Sequence, residues 1–360
     1  MTVAAAGPVF VVGSMRSGST MLRLILDSHP NIAIPHETGF MAAIRATKDI
    51  PDWKFGAGWY ERLNWTEEEI DAKLRGFYSE LFQRYATQRG KQRWGEKTPF
   101  HTAHMAEMGR VFPDAVFVGI LRHPGAVASS LRKNFHYTFG EAVAYWTATN
   151  LQLVRAGADL GARFTAFRYE DLVQRSEPVL RELTDFLGEP WSDNLLRHQE
   201  IQREQGAPRV AEGSTVTRDP IDAKRAGQWA EAATAEDRQA LDDAAPLAQF
   251  LGYDPTDPTV QQPLGGDGSR WTVTGTELAA RRGAWNGHLA LDVPDARPLV
   301  EASAEELAAR LAKAEGALRR VRSRRSVRVA DAFRKVQRGR TLHDVRDAWT
   351  LLRGPGTGGR

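Results

Sequence analysis

A glycine-rich segment near the amino terminus has residue types that can bind an anionic ester. In "VFVVGSMRSGSTMLRLILDSHP" an apolar run leads into Gly13, Gly18 and Thr20 and then into a helical pattern. Such a turn offers successive backbone N–H groups and the positive end of a helix dipole to a phosphate or sulfate. The ATPase loop G-x-x-x-x-G-K-[ST] fits except at its lysine, where this chain has Ser19. The nearest cation is Arg16, which suits a terminal group from which one bridging oxygen leaves.

Two later segments predict the elements that position this loop. The strand-like run "DAVFVGILR" ends at Arg122 and is followed by a His-Pro-Gly turn and a helix, and "RFTAFRYEDL" is a third strand candidate. Strands that alternate with helices predict an α/β domain with a P-loop-type, mainly parallel β-sheet flanked by helices. Such sheets bind ligands at the carboxyl ends of their strands, where the loop and the turn after Arg122 both lie.

Two helices are predicted from pattern and end signals. "TMLRLILDSHP" has apolar residues at helical spacing, and Pro30 lies just beyond its end. "WTEEEIDAKLRGFYSELFQRYATQ" opens with a capping box, formed by Thr66 and Glu69, and has an amphipathic pattern.

The composition limits the class of protein. The 360 residues contain no cysteine, which excludes disulfides, thiolate metal sites and cysteine chemistry. No apolar run reaches the roughly 18 residues of a membrane span. The start, "MTVAAAGP", lacks the basic and apolar regions of a signal peptide. A soluble cytoplasmic protein is therefore expected.

The charge is distributed unevenly and predicts separate modules. Residues 301–360 contain 15 Lys and Arg against 7 Asp and Glu, a charge of +8, whereas the preceding residues carry −5. We expect a domain over residues 1–255, a linker or appendage over 256–300, and a basic amphipathic helical tail over 301–360. The tail has the pattern of a helix that docks on an anionic membrane surface or on a partner helix; a solvated helix and non-specific nucleic-acid binding are the alternatives.

The ordered motifs resemble those of the sulfotransferases that use 3′-phosphoadenosine 5′-phosphosulfate (PAPS). Their first motif is a strand, then P-[KR]-S-G-[ST]-[ST], then a helix; here Met15 replaces the proline. Their second motif is a strand that ends in Arg with Ser eight residues later, as in Arg122 and Ser130. The bacterial branch related to tyrosylprotein sulfotransferases shares "ILDSHPNI", "EKTP", "FPDAVFV" and "RYEDL". The resemblance covers about Pro8 to Gly252.

The resemblance implies a reaction and a co-substrate. The enzyme would move a sulfuryl group from PAPS to a hydroxyl or amine of an acceptor and release 3′-phosphoadenosine 5′-phosphate (PAP). As in phosphoryl transfer, such an enzyme mostly positions its reactants and neutralises charge. The residues implied for the 5′-phosphosulfate are Arg16, Ser17, Gly18, Ser19 and Thr20.

Three charged residues are the catalytic candidates. Arg16 and Lys97, the latter in "WGEKTPF", are the cations expected at the bridging and sulfuryl oxygens. Glu37 follows Arg16 by 21 residues, as the catalytic glutamate of the tyrosylprotein relatives does, and would act as general base. His36 and His101 are the alternative bases, because other branches of the family use histidine.

The other end of the nucleotide has its own candidates. Arg122 and Ser130 would hold the 3′-phosphate, and Tyr169 would lie by the adenosine. "STVTRDPIDAKRAGQW" resembles the loop that closes over the cofactor, with Ser214 and Arg225 as its candidate ligands. No metal is implied, because the histidines lack nearby carboxylate or thiol partners at a ligand spacing.

The acceptor is expected to bind at residues 40–94, which are rich in Trp, Tyr and Phe; a small local core is the alternative. Tyrosine sulfation in a secretory lumen is disfavoured by the lack of an anchor. The Ala- and Arg-rich composition indicates a bacterial cytoplasmic enzyme, with peripheral binding at the inner face of the membrane as one of the alternatives that the tail leaves open. A small-molecule, glycan or lipid-linked acceptor is therefore expected.

Two other functions compete with this interpretation. A P-loop small-molecule kinase would use ATP and Mg²⁺, although the missing lysine and the lack of a carboxylate after a strand disfavour it. A non-catalytic PAP-binding module would share the nucleotide site but would have no turnover for Glu37 to support.

Overall fold

The computed structural model describes residues 7–49, 58–135, 137–204, 221, 227–260, 262–265 and 268–281. The candidate cofactor residues Ser214 and Arg225 and the predicted tail over 301–360 lie outside the described residues. Their roles remain predictions.

Within the described ranges, six strands form a single sheet in the order β2-β3-β1-β4-β5-β6. All neighbouring pairs are parallel except β5 and β6, which are antiparallel. The strands are β1 (Val9–Val12), β2 (Ile32–Ala33), β3 (Arg93–Lys97), β4 (Val116–Leu121), β5 (Phe164–Arg168) and β6 (Thr272–Thr274). The predicted α/β fold class, with a mainly parallel sheet flanked by helices, is confirmed.

Helices connect the parallel strands and cover the sheet. They are α1 (Ser19–Asp27), α2 (Phe40–Lys48), α3 (Trp59–Arg62), α4 (Glu67–Gln88), α5 (Met105–Val111), α6 (Pro124–Phe135), α7 (Phe139–Leu160), α8 (Tyr169–Gln174), α9 (Ser176–Leu187), α10 (His198–Glu204), α11 (Ala235–Asp242), α12 (Ala245–Phe250) and α13 (Gly275–Ala280). Short 3-10 helices include Pro99–His104, directly after β3. The predicted capping box of α4 is present: the Glu69 amide donates to Thr66 Oγ1, and the Thr66 amide donates to Glu69 Oε2.

The central strand β1 is buried on both faces because each face packs against helices. Phe10 and Val12 belong to an aromatic-rich core with Trp94 of β3, whereas Val9 and Val11 belong to a second core with Ile25 of α1. The strand register pairs Val11 with Lys97 on one side and with Val118 on the other. The carboxyl ends of β1, β3 and β4 therefore meet at one edge of the sheet, where the loop of the first motif begins.

Residues 272–280 add an edge strand and a helix to the domain. β6 pairs with β5, and the Glu182 carboxylate of α9 accepts hydrogen bonds from the amides of Trp271 and Thr272 at 3.1 and 2.9 Å. The domain boundary at 255 stays a prediction, and part of the segment after it packs on the sheet.

The aromatic segment over 40–94 is divided between core and surface. Phe82 of α4 is buried and stacks on Trp94 at 4.9 Å, whereas Trp59, Trp65 and Phe77 are exposed. Within the described residues, no helix combines the length and apolar character needed to cross a membrane.

Candidate functional site

The loop between β1 and α1 makes the sharp turn that the glycine pattern predicted. Gly18, which precedes α1, has φ 103°, and Arg16 has φ 68° although it is not glycine. A left-handed conformation costs a residue with a side chain roughly 1–3 kcal/mol and is kept only where the surroundings impose it. Here the Tyr145 hydroxyl accepts a hydrogen bond from the Met15 amide at 2.9 Å, and Arg122 Nη1 donates to the Arg16 carbonyl oxygen at 3.0 Å.

Gly18 allows the ring of Tyr169 to pack directly on the loop. A Cβ atom at position 18 would lie 2.5 Å from Tyr169 Cδ2, so no larger residue fits without displacing the ring. The Arg122 guanidinium lies over the other part of that ring, 4.2 Å from its centroid. The predicted nucleotide residues Gly18, Arg122 and Tyr169 are therefore packed into one unit at the ends of β1, β4 and β5.

Two guanidinium groups share this part of the site. Arg16 Nε donates to Ser130 Oγ at 2.8 Å, so the first motif contacts the second motif directly. Burial, and secondly the positive charge of Arg122, lower the pKa of Arg16 from its ordinary value. Two arginines in a partly buried site repel each other, and an anion bound beside them would relieve that repulsion. The arrangement suits a phosphate ligand.

The loop also contains buried hydroxyl groups that form no hydrogen bond with the described residues. Ser14 and Ser17 are fully buried, and within the described residues their Oγ atoms have no hydrogen-bond partner. Buried hydroxyl groups in proteins are usually hydrogen-bonded. An oxyanion bound in the loop would supply the missing hydrogen-bond partner.

Lys97 and Glu37 form a second group of charged residues beside the loop. The side chain of Lys97 is 0% exposed, and its Nζ donates to Thr20 Oγ1 in the first turn of α1 at 3.1 Å. The same Nζ forms an ion pair with Glu37 Oε1, whose side chain is 41% exposed. A buried cation, a helix N-terminus and an accessible carboxylate therefore converge at the carboxyl end of β3.

The two cations expected at the sulfuryl end have different partners in the structure, and their roles stay predictions. We expected Arg16 and Lys97 to act together on the sulfuryl end, but Arg16 contacts Ser130 and lies near Arg122, whereas Lys97 contacts Thr20 and Glu37. The reason is the left-handed backbone at position 16 together with the hydrogen bond to Ser130, a residue 114 positions away in sequence.

The turn that follows Arg122 is held by a buried polar network. His123 Nε2 donates to the Asp254 carbonyl oxygen at 2.8 Å, and Nδ1 accepts from the Gly125 amide at 3.1 Å, so the imidazole is neutral. Its ring stacks on Trp229 at 4.5 Å. Glu170 Oε1 accepts a hydrogen bond from the His123 amide at 3.0 Å. These contacts fix the turn that carries Arg122, and sequence patterns alone did not reveal them.

Comparison with known proteins places the chain in a family. A model described as the sulfotransferase family matches residues 8–193, which is more than half of the chain. This chain belongs to the sulfotransferase family. The predicted family and enzyme class, a PAPS-dependent sulfotransferase, are confirmed.

Curated relatives of this sulfotransferase include animal enzymes. Protein-tyrosine sulfotransferase 1 of Danio rerio is 25% identical over 260 residues, which cover 69% of this chain and 72% of the relative. Protein-tyrosine sulfotransferase A of Caenorhabditis elegans is 26% identical, and the match covers 69% of this chain and 67% of the relative. Among solved structures, a sulfotransferase domain from a Synechococcus PCC 7002 olefin synthase is 23% identical, with a TM-score of 0.48 over 71% of this chain and 98% of that domain.

The predicted cytoplasmic location, at the inner face of a membrane, is wrong. It depended on setting tyrosine sulfation aside, and the relatives that match this sulfotransferase are named protein-tyrosine sulfotransferases. Composition and the first residues of a chain say little about its cellular compartment, because the catalytic fold has the same physical requirements in every compartment. The bacterial origin stays a prediction.

The alternative bases of this sulfotransferase differ in accessibility. His101 is 3% exposed, and its Nδ1 lies 2.8 Å from Glu96 Oε2, so it belongs to a buried network. His36 is half-buried next to Glu37. Of the three, only Glu37 is both exposed and in contact with Lys97.

The buried imidazole of His123 predicts a loss of stability in acid. Its environment lowers the pKa of His123 from 6.5 to about 4, mainly because burial disfavours the charged form. As the pH falls, the unfolded chain binds this proton before the folded protein does. The contribution of neutral His123 to the free energy of unfolding is therefore complete above pH 6.5 and is lost as the pH falls to about 4. The loss is roughly 3 kcal/mol. Between pH 8 and pH 4, the melting temperature of the sulfotransferase should fall less steeply with pH in His123→Gln than in the wild type. Equal slopes for the two proteins would contradict the assignment.

Proposed function

We propose that this enzyme transfers the sulfuryl group of PAPS to a hydroxyl group of its acceptor and releases PAP. The observation that carries the proposal is that one buried cation contacts both the phosphate-binding loop and the candidate general base. Lys97 Nζ contacts Thr20 at the start of the loop helix and Glu37 at the accessible rim of the site.

The residues of the loop fit the nucleotide. The backbone from Arg16 to Thr20 offers donors to the 5′-phosphosulfate at the N-terminus of α1, and so does the Ser17 hydroxyl, which has no partner among the described residues. Arg122 and Ser130 would hold the 3′-phosphate, and the link between Arg16 and Ser130 supports assigning Arg16 to both ends of the nucleotide. Tyr169 would support Arg122 through its ring, in addition to lying by the adenosine.

PAPS supplies the sulfuryl group, and the chain's own residues handle charge and protons. Lys97 places a positive charge beside the loop, where negative charge develops on the leaving phosphate oxygen. Glu37 accepts the proton that the acceptor hydroxyl releases as its oxygen bonds to sulfur. A carboxylate that is 41% exposed can reach a bound acceptor and afterwards return the proton to solvent.

The acceptor class has support from two directions. Two exposed aromatic side chains accompany the charged groups: the ring centroid of Phe135, 46% exposed, lies 6.0 Å from the Arg16 guanidinium carbon, and Phe100, 50% exposed, follows Lys97 by three residues in sequence. Such rings suit the apolar face of a phenol, a sugar or an acyl chain. We propose a small-molecule, glycan or lipid-linked hydroxyl, and the names of the relatives add the tyrosine hydroxyl of a protein.

Nucleotide binding by the full-length chain tests the proposal. Calorimetry should detect PAP binding without metal, and ATP should bind more weakly with or without Mg²⁺, because the loop has Ser19 where the ATPase loop has lysine. Transfer of labelled sulfate from PAPS to a panel containing phenols, glycans, lipid-linked sugars and tyrosine peptides then identifies the acceptor. Saturation by ATP with Mg²⁺ and no response to PAP would instead establish a kinase.

A further inference from the structure

Two charged residues stand next to each other at the carboxyl end of β3, and only one of them belongs to the proposed catalytic group. Successive side chains of a strand point to opposite faces, so Glu96 and Lys97 leave β3 in opposite directions. Lys97 extends toward Thr20 of α1, whereas Glu96 extends toward α2 and the 3-10 helix Pro99–His104. Glu96 is 1% exposed.

The Glu96 carboxylate is fully engaged on that face. Its Oε1 atom accepts hydrogen bonds from the Thr98 hydroxyl at 2.7 Å, the Thr38 hydroxyl at 2.9 Å and the Thr38 amide at 3.2 Å. Its Oε2 atom lies 2.8 Å from His101 Nδ1. Burial by itself would raise the pKa of Glu96, but the hydrogen bonds from His101, Thr98 and Thr38 outweigh it and lower the pKa. A buried carboxylate with this many donors stays ionised and fixes each of them in place.

The segment that Glu96 holds is the one that carries the candidate base. Glu37 and Thr38 are both exposed, so this part of the connection between β2 and α2 gains little from apolar packing. Thr98, itself bonded to Glu96, accepts a further hydrogen bond from the Gly39 amide at 3.3 Å. Two consecutive amides after Glu37 are thus bonded to the end of β3 and to the residue that follows it.

We propose that Glu96 is a positioning residue, whose carboxylate holds the backbone at Thr38 and thereby keeps Glu37 beside Lys97. Glu96 and Lys97 then form a clamp from one strand end: one side chain fixes the backbone of the base-bearing segment, and the other pairs with the base itself. The inference rests on the proposed function, because it assigns a role relative to Glu37.

Paired substitutions at Thr38 test the clamp with minimal disturbance of the fold. Thr38→Val removes the hydroxyl while keeping the shape, and Thr38→Ser keeps the hydroxyl. We expect Thr38→Val to lower kcat about tenfold, the effect of losing one hydrogen bond to a charged group. Thr38→Ser should retain most of the activity, and both variants should bind PAP and PAPS as the wild type does, because Thr38 lies outside the phosphate loop.

Substitutions at Glu96 test the same clamp from the other side. Glu96→Ala should lower kcat by about 100-fold, the effect of a small displacement of a catalytic group. Glu96→Gln keeps an acceptor oxygen for the two threonines and should stay within about threefold of the wild type. Glu189→Ala is the matched control, since Glu189 is also buried but pairs with Arg93 at the opposite end of β3.

Hydrogen exchange provides a readout that needs no acceptor. The Thr38 amide should exchange about tenfold faster in Glu96→Ala and not in Glu189→Ala, since only Glu96→Ala removes its acceptor. The Gly39 amide should follow it, because its acceptor Thr98 loses the hydrogen bond to Glu96. Wild-type exchange at these amides in Glu96→Ala, or wild-type kcat in Thr38→Val, would overturn the inference. A wild-type enzyme that transfers no sulfate but shows the expected exchange would instead refute the proposed function alone.

Discussion

Replacing Glu37 by glutamine should lower kcat for sulfuryl transfer by about 10²–10⁴-fold, the contribution of a general base. The amide has nearly the shape of the carboxylate but cannot accept the proton of the acceptor hydroxyl. Because the Glu37 side chain is 41% exposed, the substitution should leave the fold intact. The Kd for PAP should change little, since the contact between Glu37 and the loop in the described part of the chain runs through Lys97.

The neighbouring histidine supplies the matched control. His36→Gln alters the residue directly before Glu37 and removes a competing base, yet it should keep kcat within about threefold, as a surface substitution does. The measurement is the initial rate with saturating PAPS, corrected for the fraction of enzyme that binds PAP. A large loss in His36→Gln combined with activity in Glu37→Gln would move the role of base to the histidine.

Replacing Lys97 by methionine should lower kcat by about 10²–10³-fold, the loss observed when one preorganised donor to a developing charge is removed. The Lys97 side chain is entirely buried, and methionine fills similar space with an uncharged group. The lost hydrogen bonds to Thr20 and Glu37 are offset because methionine carries no buried charge, and the carboxylate left behind is accessible to water. The free energy of unfolding should therefore fall by no more than about 1 kcal/mol. Activity and stability should therefore separate in this variant.

Lys91 offers a control of the same type away from the site. It is 5% exposed and lies 3.7 Å from Asp27 Oδ1, in a cluster with Arg89. Lys91→Met should reduce the free energy of unfolding by about 1–3 kcal/mol while kcat is retained, because its buried hydrogen bond to the Asp27 carbonyl oxygen is lost and the buried Asp27 carboxylate loses a cation. Denaturation curves and rates for the two lysine variants should show opposite patterns; parallel losses in both would mean that Lys97 is structural.

The sequence was sufficient to predict those elements whose structure depends on interactions between residues close together in the chain. The apolar run before Gly13, the turn glycines and the capping box at Thr66 each depend on residues within a few positions, and each was predicted. Strand β3 was not predicted. Its sequence "RWGEK" contains three charged residues, although all five residues are buried. Arg93 pairs with Glu189, Glu96 with Thr38 and Lys97 with Glu37, and a pattern of apolar residues cannot reveal partners so distant in sequence.

By itself, the sequence determined the strand, the glycine-rich turn and the helix, predicted an anion site there, and identified the motifs as those of a sulfotransferase. Only the tertiary structure decided how the charges are grouped. Arg16 joins Ser130, Lys97 joins Glu37, and Glu96 turns away to hold Thr38, through contacts that span 58 to 114 positions. The physical reason is that parallel strands bring their carboxyl ends to one edge whatever their separation in the chain, while each side chain's direction depends on the neighbours packed against it.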